Sequence, residues 1–185
     1  VRDAIVGDKL PDSSVHKCYR AVLNAGDVPK DLRFAAATLW AAHNTHIVHY
    51  PLRGWKLFNL VATTIGKPMT EGHNEVASPE EVLPQFAHYC AKPLKLMRTP
   101  KTFTRWMLRY RDPVDNWVQG PVALLGDAAH PTLPFLAQGA CMAIEDGAIL
   151  ARALEGAGSV REALELYQRS RVERCARVVT ESAAE

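Results

Sequence analysis

Four apolar residues in a row, Val122-Ala123-Leu124-Leu125, end abruptly at Gly126-Asp127, and this junction limits the possible folds more than any other stretch. A strand with one wet face alternates polar and apolar positions. An unbroken apolar run instead predicts a parallel strand covered on both faces. A carboxylate just past such a strand, then a short loop and a helix start near Gln138-Gly139-Ala140, is a ligand-binding arrangement of α/β sheets. Asp127 can accept hydrogen bonds from two hydroxyls of a polyol. The amides opening the helix favour an electron-rich or anionic group. Taken alone, Gly-Asp is a common turn dipeptide and carries little weight.

The helix predicted over Gln138–Leu154 offers Met142, Ile144, Ile149 and Leu150 for burial. Ser159-Val160-Arg161-Glu162 has the form of a capping box and opens a second helix, predicted to run to about Thr180. Its inward face would carry Leu164, Leu166, Tyr167, Val172, Cys175 and Val179. Upstream, β-like runs alternate with loops. His46–Pro51 and Lys56–Thr64 read as a hairpin around Arg53-Gly54. Alternation puts His46, Val48 and Tyr50 on one face and Ile47 and His49 on the other. Ser78-Pro79-Glu80-Glu81 is a helix start, with Pro84 predicted to begin or kink the helix nearby. Thr102–Arg111 reads as a further strand, stopped by Asp112-Pro113. The predicted class is α/β (α+β mixed): a region with a mixed β-sheet over residues 4–119, then a strand–turn–helix portion over 120–185.

Charge and composition exclude several functions. The 22 basic and 20 acidic residues leave a net charge of +2 with no basic run or helix face, so nucleic acid is not an expected partner. The apolar stretches fall far short of the roughly 20 residues of a membrane span. The four cysteines, Cys18, Cys90, Cys141 and Cys175, lie far apart and are expected to be buried or half-buried free thiols in a cytoplasmic protein. His43, His46 and His49 recur every third residue, but strand geometry turns His46 away from the other two, so no metal site is predicted. Arg105, Arg109 and Arg111 are expected on a solvated basic strand edge, although such a row can bind a carboxylate.

The full string from Gly126 to Leu150, GDAAHPTLPFLAQGACMAIEDGAIL, resembles the GD-motif region of the class A flavoprotein monooxygenases. Within that class it is similar to the salicylate hydroxylases and the gentisate-forming 3-hydroxybenzoate hydroxylases. Val1-Arg2 resembles the end of the family's DG signature. Tyr19-Arg20-Ala21 resembles the start of its substrate domain, and His46–Gly54 with Phe58–Val61 resembles its hairpin. The likeness therefore runs along nearly the whole chain. It divides the chain into the end of the DG motif (1–3), a substrate-binding domain (4–119), and the C-terminal part of an FAD-binding domain (120–185).

The resemblance implies FAD as cofactor, NAD(P)H and O2 as co-substrates, and a small aromatic acid as substrate; a homodimer is the assembly considered. It implies that Gly126 and Asp127 hold the ribityl chain of FAD, that Pro131 lies beside the flavin ring, and that the amides of Gly139 and Ala140 meet its pyrimidine edge. It places His46 and Tyr50 against the substrate, with His46 helping to remove the phenolic proton. Their Cα atoms would lie about 13 Å apart on one strand face. His130 is expected to be a structural hydrogen-bonding residue. Pro134, assigned to the substrate side, stands where salicylate-type relatives tend to carry proline and gentisate-forming ones glutamine. Trp55 replaces a second glycine of the hairpin turn, and Ala41-Ala42 replaces a glycine-containing stretch. No GxGxxG fingerprint occurs in these residues, so the chain by itself is expected to bind FAD weakly or not at all and to be inactive. Two alternatives stay open: a flavin monooxygenase for another substrate such as a hydroxypyridine, and a truncated, non-catalytic protein that binds an aromatic ligand.

Overall fold

The structure is a computed structural model and describes residues 1–7, 12–66 and 74–184. The chain forms two compact units, Val1–Asp12 with Arg109–Glu185, and Ser13–Leu108. It opens with a short helix, α1 (Arg2–Val6), and then enters the long strand β1 (Asp12–Asn24). β2 (Thr38–Ala42), β3 (Thr45–Leu52) and β4 (Leu57–Ile65) follow, then β5 (Glu75–Ala77), helices α2 (Pro79–Val82) and α3 (Ala91–Met97), and β6 (Phe103–Tyr110). These six strands form one sheet in the order β2-β3-β4-β1-β6-β5. The pairs β2–β3, β3–β4, β4–β1 and β5–β6 are antiparallel. The mixed α/β class is as expected from the sequence.

The β3–β4 hairpin forms where expected. Arg53, Gly54 and Trp55 all take left-handed backbone angles at its turn, with Leu52 opposite Leu57. The glycine suits this conformation; the arginine and the tryptophan adopt it against their preference. One face of the sheet carries Tyr19, Ala21 and Leu23 of β1, Ile47 of β3, and Phe58, Leu60 and Ala62 of β4. These pack against Val82, Phe86, Leu96 and Met97 from the helical segment to form the core of this unit. His49 faces the same core and is fully satisfied there. Trp40 Nε1 donates to its Nδ1 at 3.3 Å, which leaves Nε2 to donate to the Leu32 carbonyl at 2.9 Å. Both bonds require the neutral ring, and burial holds its pKa below the usual value.

The helix start at Ser78 is met, and several other expectations are corrected. Ser78 caps α2, its Oγ accepting from Glu81 N–H at 3.4 Å. The α-helix ends after four residues, because Pro84 removes a donor and the chain continues as a 3₁₀ turn over Leu83–Phe86. Strand β2 and helix α3 were not foreseen; both are too short for periodicity to declare them. Arg105 is not a solvated edge residue. It is ion-paired with Glu75 and, at 2.7 Å, with Glu81, while β5 takes the sheet edge. All four cysteines are free, but Cys90 and Cys141 are exposed.

In the other unit, β7 (Val118–Gln119) and β8 (Val122–Ala123) form a two-residue antiparallel ladder. The run at 122–125 is thus not a parallel strand covered on both faces: Leu124 is buried, whereas Val122 and Leu125 are exposed. An apolar run reports an appetite for burial and does not specify a partner strand. Helices α4 (Gly139–Gly156) and α5 (Val160–Ala184) pack on each other. Ser159 caps α5, accepting from Glu162 N–H at 3.2 Å. Ile144 is 74% exposed and Leu166 41% exposed, against expectation. The inward positions are taken instead by Asp146 and Arg171.

Phe58 is completely buried at the centre of the sheet unit's core. Phe58→Ala is expected to lower the unfolding free energy by about 3–5 kcal/mol through lost burial and an unfilled cavity. The check is a fall in the urea midpoint at constant slope.

Candidate functional site

Gly126 begins a 3₁₀ turn, Gly126–Ala128, directly after the extended Leu125. Its φ is +58°, and a Cβ here would sit 3.2 Å from the Ala143 Cβ of α4. Both the backbone angle and the close helix therefore require glycine. Asp127 follows on the exposed side of the turn. It lines a cleft of about 560 Å³ together with Thr132, Pro134, Ala137, Gly139, Ala140 and Ala143. Ala137 takes a left-handed conformation (φ 52°) immediately before α4. The N-cap residue, Gln138, makes no capping hydrogen bond with its side chain, so its helix start is left uncapped by that residue. The cleft therefore combines a carboxylate, small side chains and the positive end of an 18-residue helix dipole.

Beneath the turn lies a buried charge network. Asp146 of α4 is 0% exposed. Its Oδ2 accepts from Gly126 N–H at 3.0 Å and meets His130 Nε2 at 2.6 Å. Its Oδ1 accepts from Arg171 Nε of α5 at 2.7 Å. Arg171 extends the network to the Met142 carbonyl at 3.3 Å, the Cys175 sulfur at 3.5 Å, and Glu145 at 2.8 Å. From the other end, Arg2 Nη1 donates to the carbonyls of Ala128 and Ala129 at 2.6 and 2.7 Å. The strand end, the turn and both long helices are thus tied to one carboxylate.

Burial alone would keep His130 neutral. The hydrogen bond to Asp146 and the contact with Cys175 outweigh it and raise the pKa to about 9. Asp146 is lowered: burial opposes ionisation, but His130, Arg171 and the Gly126 amide together prevail. His130, Asp146 and Cys175 also present donor atoms within 4.8 Å of one another, a spacing that suits a metal ion. The Arg171 guanidinium already touches Asp146 and Cys175 and supplies the positive charge there, so we read the cluster as an ion-pair network.

The sheet unit carries the second group of candidates. His46, Val48 and Tyr50 lie half-buried on the face of β3 opposite to the core. Register sets His46 against Thr63 and Tyr50 against Asn59 on β4. On β1, Cys18 stands opposite Thr63 and Arg20 opposite Val61. Burial and the neighbouring His16 both hold the His46 pKa below its usual value.

Asp127, Pro134, Gly139 and Ala140 are brought together around one cleft, although the sequence assigned Pro134 to the substrate and the others to the cofactor. Gly126 lies behind that cleft, and Pro131 is outside its lining. His46 and Tyr50 share the sheet face. Sequence reasoning missed Asp146 and Arg171. The signal was present: an arginine at the third position of the Leu164–Tyr167–Arg171–Cys175–Val179 stripe, and a carboxylate four residues after Met142. Two opposite charges on two apolar helix faces predict a buried pair.

Residues 14–182 match the FAD binding domain family, and this chain belongs to it. It is 44% identical over 183 residues to a 3-hydroxybenzoate 6-hydroxylase of Polaromonas naphthalenivorans, covering 98% of this chain and 46% of that protein. It is 34% identical over 183 residues to a 6-hydroxynicotinate 3-monooxygenase of Pseudomonas fluorescens, covering 96% of this chain and 48% of that protein. Among solved structures, a salicylate hydroxylase substrate complex superposes with a TM-score of 0.87 at 24% identity, over 99% of this chain and 50% of that one, and so shares the fold. The chain spans about half the length of the relatives it matches.

Asp146→Asn is expected to destabilise by about 3–5 kcal/mol, because two buried cations lose their counter-charge. The pH dependence carries a second signature. His130 titrates near 6.5 when unfolded and at about 9 when folded. Its stabilising contribution is therefore complete below pH 6.5 and disappears as the pH rises to about 9. Urea midpoints measured from pH 6 to 9.5 should fall in the parent protein, and the variant should lose that slope.

Proposed function

We propose that this chain is the flavin- and substrate-contacting part of a cytoplasmic FAD-dependent monooxygenase that uses NAD(P)H and O2 to hydroxylate a phenolic aromatic acid of the hydroxybenzoate or salicylate type. The observation that carries this reading is the cleft on the Asp146-anchored turn. It places a carboxylate, an uncapped helix start and small side chains around a space of suitable size. The kinship to 3-hydroxybenzoate 6-hydroxylases at 42–44% identity supports it.

In this reading Val1–Asp12 with Arg109–Glu185 form the flavin side, and Ser13–Leu108 the substrate side. Arg2, as the end of a DG segment, steadies the turn through Ala128 and Ala129. The chain's residues fit the cofactor. Gly126 lets the turn lie against α4, Asp127 accepts from ribityl hydroxyls, and the Gly139 and Ala140 amides stabilise negative charge on the pyrimidine edge. Pro131 and Pro134 supply rigid apolar surface without adding donors. Bound FAD supplies the redox chemistry, passing electrons from NAD(P)H to O2 and an oxygen atom to the ring. The protein's own task is proton management and orientation. His46, held neutral at pH 7, takes the proton from the phenolic hydroxyl and makes the ring a better nucleophile. Tyr50 orients the bound acid. A hydroxypyridine carboxylic acid is the second reading, favoured by the 34% identity to a 6-hydroxynicotinate 3-monooxygenase. Product analysis over a panel of both acid types separates the two.

In the full-length, FAD-loaded enzyme, Asp127→Ala is expected to weaken FAD retention roughly ten- to a hundredfold with little change in melting temperature. Flavin absorbance after gel filtration measures this, and unchanged retention removes Asp127 from the cofactor site. His46→Ala should slow hydroxylation by about 10²–10⁴-fold while flavin stays bound. NAD(P)H consumption would then yield hydrogen peroxide in place of product. In the parent enzyme the limb of activity that depends on neutral His46 should rise with pH at a value below 6.5. Coupled turnover at the parent level in the His46 variant would contradict the assigned role.

A further inference from the structure

Asn59 is an anomaly on the polar face of the sheet. The residue is 1% exposed, yet its Nδ2 has no hydrogen-bond partner. Its orientation is fixed. Arg20 Nε donates to Asn59 Oδ1 at 3.1 Å, and a guanidinium only donates, so the amide cannot turn its nitrogen toward Arg20. A buried amide donor without an acceptor costs free energy, and such groups merit an explanation where they occur. Asn59 stands directly across from Tyr50 in the register, on the face that also carries His46, and Val22 borders it on the other side. Arg20 itself is exposed, and among the described residues its terminal nitrogens have no acceptor. One cation and one oriented amide, side by side on rigid strands, present several donors and no acceptor to the same space. This is the chemistry that recognises a carboxylate.

We propose that Arg20 and Asn59 form the carboxylate-recognition site for the aromatic acid, with Asn59 Nδ2 donating to one oxygen and the Arg20 guanidinium to the other. The inference rests on the aromatic-acid reading above and adds the residues that select the acid group. Asn59 is buried, so the oxygen reaches Nδ2 only when a neighbouring side chain moves; we assign that movement to Tyr50, half-buried and directly across the register. The ring hydroxyl then remains for His46.

The test is equilibrium titration of the oxidised, FAD-loaded full-length enzyme, without NAD(P)H, using 3-hydroxybenzoate and 3-hydroxybenzyl alcohol. The alcohol keeps the phenol and lacks the carboxylate. Asn59→Asp preserves the acceptor for Arg20 and replaces the free donor with an oxygen. It should weaken binding of the acid about 100-fold and binding of the alcohol less than about threefold. Asn59→Leu removes the amide without adding charge. It should weaken acid binding about tenfold while the melting temperature holds or rises, since an unsatisfied buried donor is gone. Acid binding within twofold of the parent in both variants, with flavin retained, overturns the proposal and leaves the aromatic-acid reading standing. Equal losses for acid and alcohol also overturn it, because they indicate a packing role. A parent enzyme that binds neither compound overturns the aromatic-acid reading and this proposal together.

Discussion

The carboxylate of Asp146 accepts from three separate pieces of chain: the Gly126 amide in the turn, the His130 ring four residues on, and the Arg171 guanidinium on the last helix. A lone carboxylate in that position would be costly enough to protonate or to exclude the fold, so these donors are conditions of the fold. Arg171 would be equally untenable without Asp146. Each half of the pair makes the other admissible, and together they bind the Gly-Asp turn to both long helices. The cleft beside Asp127 takes its shape from this arrangement. The turn cannot relax and α4 cannot shift along its axis without breaking a bond to a fully buried group.

The sheet unit solves a different problem. β4 lies inside the sheet, and the two sides of one strand do different work. Phe58, Leu60 and Ala62 close the core, while Asn59 and Thr63, nearly as well buried, line the polar side. Because side-chain direction has a period of two, the hairpin delivers apolar and polar sets from a single run of residues. Chemistry placed on such strands is held by the ladder on both sides and so keeps its spacing better than chemistry on loops.

Much of this was legible in the chain itself. The hairpin, the face shared by His46 and Tyr50, the two long helices and the turn at Gly126-Asp127 all follow from periodicity and turn chemistry. The errors in the two long helices share one cause. Ile144 and Leu166 were placed inside because they are apolar, and Asp146 and Arg171 were overlooked because they are charged. Helical phase, weighed above residue type, points to the charged pair: 142 and 146 lie on one face of α4, and 167, 171 and 175 on one face of α5. The apolar run at 122–125 failed for a related reason, since hydrophobicity states that a segment seeks cover without saying what will supply it. The Asn59–Arg20 contact was beyond sequence reasoning altogether, for cross-strand neighbours depend on a register that only folding sets.

The close approach of Gly126 to Ala143 bears on how this protein can change over generations. With 3.2 Å between a hypothetical Cβ at 126 and the methyl at 143, neither position has room to enlarge alone. Enlarging 143 presses the helix away from the turn, and enlarging 126 does the same from the other side while also violating the backbone angle. The two sites should therefore drift as a couple, or not at all. Variation among descendants should therefore fall on the sheet and the loops, leaving this contact as a fixed point of the lineage.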